Sequence, residues 1–585
     1  MTLTSGSPDT DLSEQSIAVD IHARLTAYVN SSPDRVAISF PGIGAPERAA
    51  AVDDLRYRTM TYGELGVRVR DYARGFEAIG IERGTKAIVM LRPDPDLYAV
   101  LFALFRIGAV PVVVDPGMGV RRMLHCFRSV GAQAFIGIPK AHLVRLLARG
   151  TFSSVRISVS TGRIGWDAHT LGAVARQGRK AVPTLPAVHR TDDLLLIAFT
   201  TGSTGPAKGV EITRAGLAAS LRVVERLHDR HDGFCSLATV PLFGLFDLAQ
   251  GAHIVLGPVD PIRVRDADPA LLCEVIEHFA VSDLTASPAL LGPLSTYVSR
   301  HGTGLPTLLR VISMGAPAKL QALAALRAAM PPGGTVYTTY GSTEALPLTT
   351  LEWDELAGTE DATARGAGSC VGRTVPEPDA DYLVRLIRIH DDAIPVWSDD
   401  LLVAPGEVGE LVATGPQISG TYHADPAAVA RAKIVEHRAD GSVRLWHRVG
   451  DLARQDEHSR LWFCGRISQR VRTAGGDMYT VMIERVFDTH PALARSALVG
   501  VGRPGTQVPV LCYELRDGVD PAERDRIERE LWRQGQQRDM TAKVRVFLWH
   551  PGFPVDIRHN AKIGREQLGR WAAGVLGYGT DGGER

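Results

Sequence analysis

Apolar and polar residues alternate along this chain in two periods. Stretches with a helical period, residues 62–79 and 96–107, are each followed by a short β-branched run, at 87–91 and 111–114. Further apolar runs of strand length lie at 194–199, 236–240, 253–256 and 311–314. Such runs, bounded by Gly and Pro and separated by amphipathic helices, predict βαβ units with buried parallel strands, an α/β fold. No repeat of fixed period is present, which excludes a solenoid. The most apolar stretch, residues 98–114, is interrupted by Arg106, Gly108 and Pro111. It predicts a buried helix, a turn and a strand, and no membrane span.

Past about residue 400 the texture changes. Residues 406–415 and 442–452 predict short strands and turns, and the tail after Gly465 predicts a strand at 496–501, a helix at 521–534 and a strand at 544–548. A basic segment and a last helix follow. The expected organisation is a disordered terminus over residues 1–15, a large layered domain over 16–465 and a smaller α+β domain over 466–585.

Composition narrows the classes of function. Of 585 residues, 45% are hydrophobic, and Lys+Arg equals Asp+Glu at 65 each, so no net charge draws the chain to nucleic acid or an anionic membrane. The six cysteines contain no CxxC pair, which argues against a zinc site or a disulfide framework and fits a reducing cytosol. The polar, acidic first 15 residues lack the apolar core of a secretory signal, so a cytoplasmic location is expected.

The sharpest feature is Ala198-Phe-Thr-Thr-Gly-Ser-Thr-Gly-Pro-Ala-Lys-Gly209, placed between an apolar run and an expected helical stretch. Thr200, Thr201, Ser203 and Thr204 supply hydroxyls, Gly202 and Gly205 allow close approach of the backbone, and Lys208 adds a positive charge. That combination after a strand makes a cradle for polyphosphate. It is not a Walker A loop, because Lys208 lies between Ala207 and Gly209. A plain Ser/Gly turn is the alternative.

With that loop, five further segments carry a resemblance. They are Thr61-Tyr-Gly-Glu-Leu65, Tyr340-Gly-Ser-Thr-Glu344, Gly450-Asp451, Gly465-Arg466 and Lys562 within Asn560-Ala-Lys-Ile-Gly-Arg565. In this order and spacing the chain resembles the adenylate-forming superfamily of acyl-CoA synthetases, luciferases and peptide-synthetase adenylation domains. The resemblance implies ATP and Mg²⁺ as cofactors and a mobile C-terminal domain hinged at Arg466. It implies that Asp451 holds the ribose hydroxyls, and that Lys562 meets the carboxylate and the α-phosphate. Lys208 and Glu344 complete the expected catalytic set, with Glu344 as the carboxylate ligand of the metal.

Adenylation brings two anions together, so charge must be neutralised and the reactants held in line. Read without the resemblance, each residue keeps a plainer reading. Glu344 would be the acid of a helix N-terminus capped by Ser342, with Thr343 beside it. Gly450-Asp451 would be a turn, Arg466 a solvated ion pair, and the basic cluster around Lys562 a solvated face. Gly315, Ala316 and Pro317 are expected to line the adenine and acyl pockets, or else to form an ordinary strand-to-helix turn, and Tyr340, Gly341, Ser342 and Thr343 are expected among the nucleotide-binding residues. Phe243, Gly244, Leu245 and Phe246 are expected in the acyl pocket, or in the core.

Several segments resemble one subfamily more closely, the olefin β-lactone synthetases. They include Val114-Asp-Pro-Gly-Met-Gly119, Val240-Pro-Leu-Phe-Gly-Leu-Phe-Asp247, Asp556-Ile-Arg-His-Asn-Ala-Lys-Ile563 and Met478-Tyr479. This resemblance implies a long-chain β-hydroxy acid substrate, adenylated and then closed by its own hydroxyl to a β-lactone. It also implies an assembly with thiolase-like and decarboxylase partners. Two departures from the wider superfamily stand out: Ser468, where acyl-CoA synthetases carry Asp or Lys, and Arg214, where relatives carry an aromatic or His. An acyl-CoA or acyl-ACP ligase is the alternative, and a non-catalytic nucleotide-binding protein a third. No general base is assigned among His231, His253 and His447.

Overall fold

A computed structural model describes residues 20–42, 49–162, 169–182, 189–200, 207–228, 230–374, 382–555 and 563–578. The expected disordered terminus, Thr201 to Gly205 of the loop, and Lys562 lie outside the described residues.

Local chemistry sets the ends of the helices that build the core. Tyr62–Ala78 starts at a capping box, in which the Thr61 hydroxyl accepts from the Glu64 N–H at 3.2 Å and Glu64 Oε2 accepts from the Thr61 N–H at 2.9 Å. Pro95–Ile107 starts at the Asp94 cap and stops at Gly108, whose φ of 73° favours glycine. It is buried all round except at Asp96 and Arg106. The largest buried cluster draws on both helices and on strands of two different sheets, so the helices pack between those sheets.

The smaller of the two sheets has seven strands, ordered His169–Thr170, Ile157–Ser160, Ala134–Gly137, Lys86–Met90, Val110–Val114, Leu194–Thr200 and Lys208–Thr213. All its pairs are parallel except the last. Here the structure corrects the reading of the segment after the phosphate loop. A strand, Lys208–Thr213, comes before the helix Arg214–His228, because β-branched Val210, Ile212 and Thr213 suit pairing with Leu194–Thr200.

The larger sheet has fourteen strands in two halves. From Thr335–Ser342 through Arg310–Met314, Asp283–Ala286, Cys235–Ala238 and His253–Val255 to Val36–Phe40 the pairing is parallel. On the other side of Thr335–Ser342 it is antiparallel, through Ala345–Glu352, Ser369–Thr374, Leu461–Arg466, Val443–Gln455, Gly409–Thr414 and Leu383–Ile387. The switch falls at the hairpin that carries Glu344.

The described residues from Val471 on bury two clusters of their own around a three-stranded sheet, Leu493–Val501, Val508–Leu515 and Val546–Trp549. The helices Thr480–Phe487, Arg524–Gly535 and Arg565–Val575 accompany that sheet. Gly465, φ 133°, precedes this part; a Cβ there would come within 2.5 Å of Thr480 Oγ1.

Candidate active site

Strand Leu194–Thr200 ends where the hydroxyl-rich loop begins, and the chain returns with Lys208 directly opposite Thr200. Lys208 Nζ lies over the Tyr422 ring, 4.9 Å from its centroid. The Tyr422 hydroxyl donates to Glu344 Oε1 at 2.9 Å. One buried tyrosine therefore touches both the lysine and the carboxylate that the sequence singled out. Its burial and the Glu344 charge both push its hydroxyl well above the usual range, so it stays a donor.

Glu344 is not at a helix start. Ser342 pairs with Ala345, so Thr343 and Glu344 form a two-residue turn between antiparallel strands, and the capping role considered for Ser342 falls away. Gly341 packs so closely that a Cβ would lie 2.6 Å from the Ala345 carbonyl oxygen. Residues 418–423 stitch this turn to the Lys208 strand. Ala345 bridges Ile418, the Ser419 N–H donates to the Glu344 carbonyl at 2.8 Å, Val210 bridges Tyr422, and the His423 N–H donates to the Gly209 carbonyl at 2.7 Å. Lys433, itself buried, donates to the Ser419 carbonyl. Burial pulls its ammonium down to about 8, with the Glu344 charge pulling the other way.

Asp451 sits inside the strand Val443–Gln455, not in a turn, just after Gly450 at φ 78°. It is buried, accepts from the Tyr340 hydroxyl at 2.6 Å and meets Arg466 Nε at 3.3 Å across the strand pair. Tyr340, Asp451 and Arg466 thus form one contiguous polar cluster, and Arg466 is no purely solvated ion pair. Burial and Asp451 hold the Tyr340 phenol protonated, far above its usual range. Gly315, φ 88°, turns the chain after strand Arg310–Met314 and leads into Ala316 and Pro317.

Of the expected acyl-pocket residues, Phe243 and Phe246 face a cleft that also reaches Met314, at the end of Arg310–Met314, and Thr339, within Thr335–Ser342. Their rings lie 5.9 Å apart. Leu245 joins the main core, as Phe246 also does, and a Cβ on Gly244 would meet the Tyr98 hydroxyl at 2.7 Å. Arg214 is buried, pairs with Asp20 and donates to the Phe105 carbonyl. His253, half-buried, bonds Ser39 Oγ at 2.8 Å, and His231 lies edge-on to Phe234. His447 is buried opposite Lys433, and its burial, followed by that lysine, keeps it neutral.

Tyr422 and Lys433 escaped the sequence reading. Gly420-Thr-Tyr-His carries no local signal of chemistry, and the buried lysine stands in an ordinary amphipathic stretch. A prediction follows from the double contact. Tyr422→Phe keeps the ring and is expected to lower kcat/KM for ATP by about tenfold, the scale of one hydrogen bond to a charged group. Tyr422→Leu also removes the aromatic face and is expected to lose roughly a further threefold to tenfold. Steady-state pyrophosphate release checks both; equal losses in the two variants would refute the ring contact.

A lysine and a carboxylate clamped beside a hydroxyl-rich loop, with a buried polar cluster nearby, suit an enzyme that joins an acid to a nucleotide phosphate. Residues 28–423 match the family model described as AMP-binding enzyme, and the chain belongs to that family. It is 42% identical to an olefin β-lactone synthetase of Stenotrophomonas maltophilia, covering 95% of this chain and 98% of the relative. It is 43% identical to another from Xanthomonas campestris pv. campestris, covering 95% and 97%. The fold matches a solved amide bond synthetase from Marinactinospora thermotolerans with a TM-score of 0.73 at 22% identity, covering 95% and 99% of the two chains. The protein is an AMP-forming ligase or synthetase. No helix among the described residues is long and apolar enough to cross a membrane.

Proposed function

We propose that the protein activates a long-chain β-hydroxy acid with ATP and closes it to a β-lactone. The acid's carboxylate attacks the α-phosphorus, an acyl–O–P bond forms, and the bond to pyrophosphate breaks. The substrate's own β-hydroxyl then attacks the acyl carbonyl, and AMP leaves. An internal nucleophile has a high effective molarity, so no thiol is required. The observation that carries this reading is the likeness to two β-lactone synthetases along nearly the whole chain.

The residues divide the work as follows. Lys208 and the loop hydroxyls Thr200, Thr201, Ser203 and Thr204, with Gly202 and Gly205, hold the β- and γ-phosphates. Asp451 and Arg466 hold the ribose, while Tyr340, Gly341, Ser342, Thr343, Gly315, Ala316 and Pro317 flank the base and the acyl carbonyl. Lys562 meets the developing charge at the α-phosphate. Residues 466–585 act as the lid that delivers it, pivoting beside Gly465.

Mg²⁺ fits this donor set as an ion carried mainly by phosphate. Glu344 Oε1 takes the Tyr422 hydroxyl, which leaves Oε2 for a metal. Among the described residues no three His, Cys, Asp or Glu side chains form a protein cage, and Mg²⁺ is commonly held by one carboxylate with substrate oxygens. The ion would neutralise phosphate charge. The proposed setting is the cytoplasm, in an assembly with thiolase-like and decarboxylase partners.

The test is mass spectrometry of products from protein, ATP, Mg²⁺ and a long-chain β-hydroxy acid with no thiol present. The expected products are AMP, pyrophosphate and a species one water lighter than the acid. Accumulation of acyl-AMP without lactone, discharged only when coenzyme A or acyl carrier protein is added, would make the protein an acyl ligase instead.

A further inference from the structure

The cleft faced by Phe243 and Phe246 also contains charged side chains, and they are compensated. Arg230 pairs with Asp247 at 2.8 Å and with Asp283 at 3.2 Å. Asp247 also accepts from Ser236 at 2.7 Å, Asp283 accepts from Ser282 at 2.6 Å, and Arg310 stands 3.5 Å from Asp283. Two buried acids thus meet two guanidiniums, and their charges need no ligand.

His228 differs. It is the last residue of the helix Arg214–His228, it is 2% exposed, and its ring lines the same cleft edge-on to Tyr337. Arg310 Nε donates to its backbone carbonyl at 2.6 Å. Neither ring nitrogen has a partner among the described residues. Burial, reinforced by Arg230 and Arg310, holds the imidazole neutral, so it offers one N–H donor and one lone pair. A buried polar group left unmatched is costly, and natural sites of this kind are matched by a ligand group or water.

We infer that His228 is a specificity-determining residue whose imidazole hydrogen-bonds a hydroxyl on the acyl chain. A hydroxyl both donates and accepts, so one such group can serve either ring nitrogen. Filling the cleft with an unsubstituted chain would exclude water and leave the imidazole unmatched. A site built around a substrate hydroxyl rejects the analogue without one far more strongly than a greasy pocket rejects an extra group. The inference rests on the hydroxy-acid reading above and extends it to a residue.

The experiment compares a 3-hydroxy fatty acid with the unsubstituted acid of equal length, reading kcat/KM for acid-dependent pyrophosphate release. The wild type is expected to prefer the hydroxy acid by at least about tenfold. His228→Phe, of similar size and without polar atoms, is expected to erase that preference by losing the hydroxy acid selectively. His228→Gln, which keeps a donor and an acceptor, is expected to retain part of it. Equal losses on both acids in His228→Phe would overturn the inference. Should that variant not fold, wild-type calorimetry with hydrolysis-resistant analogues of the two acyl-adenylates decides, and affinities within threefold overturn it. Wild-type turnover of both acids at equal kcat/KM sinks the His228 inference alone; turnover of neither acid sinks the hydroxy-acid reading with it.

Discussion

Replacing Lys562 by alanine is expected to cut acid-dependent ATP–pyrophosphate exchange by about two to three orders of magnitude, the loss typical when one charge-stabilising donor is removed. The described chain up to Val555 is tied to the described chain from Ile563. Val555 bridges Ile563, and the Gly564 N–H donates to the Pro554 carbonyl at 2.7 Å. Three residues after the lysine, Arg565 donates to both oxygens of Glu484 at 2.7 and 2.6 Å. These ties are made by residues other than Lys562, so its truncation should leave the melting temperature within about a degree of wild type. Exchange at a tenth of the wild-type rate or better would remove Lys562 from the reaction. Lys562→Arg is the informative companion, since a planar guanidinium keeps the charge but not the compact ammonium, and partial recovery there would separate charge from shape.

Glu484→Ala is the second large effect, and it acts on stability. Glu484 is buried on the helix Thr480–Phe487, and besides Arg565 it accepts from the Leu498 N–H at 2.8 Å. Burial pushes its carboxyl above the usual range, while Arg565 pulls it back. Removing one partner of a buried ion pair leaves the other charge uncompensated, which costs about 3–5 kcal/mol. The three tied elements, Thr480–Phe487, Leu493–Val501 and the start of Arg565–Val575, all belong to the C-terminal part, so the loss should concentrate there. Hydrogen exchange is expected to show faster exchange across residues 493–515 and 565–575, with the strands around Asp451 unchanged. Uniform loss of protection across the chain, or none, would refute a local anchor. Because Arg565 sits just beyond Lys562, the same variant is expected to lose exchange activity at temperatures where it remains folded.

Much of the architecture was legible in one dimension, and for local reasons. The capping box at Thr61 and Glu64, the Asp94 cap with its Gly108 stop, and the apolar strand Leu194–Thr200 depend on neighbours within a turn or two of chain. The tract after the phosphate loop misled, because a short β-branched run beside a helix carries two periods at once, and sheet pairing decided in favour of the strand. The plainer alternative for Ser342, a helix cap, fails for a similar reason. A hydroxyl two residues before an acid fits a helix cap, whereas the pairing of Ser342 with Ala345 makes it the shoulder of a hairpin.

What the sequence determined by itself is the set of chemical groups and their order: a hydroxyl-rich loop with its lysine, the acid of Tyr340-Gly-Ser-Thr-Glu344, the aspartate of Gly450-Asp451 and a late lysine. Which side chains meet was decided only by tertiary structure. Tyr422 lies 78 residues from Glu344, Arg565 lies 81 from Glu484, and the unmatched ring of His228 acquires meaning only inside a cleft walled by distant strands. The physical reason is range. Caps and turns are set by interactions a few residues long, but hydrogen bonds and ion pairs across sheets depend on register and burial, which exist only once the chain has folded.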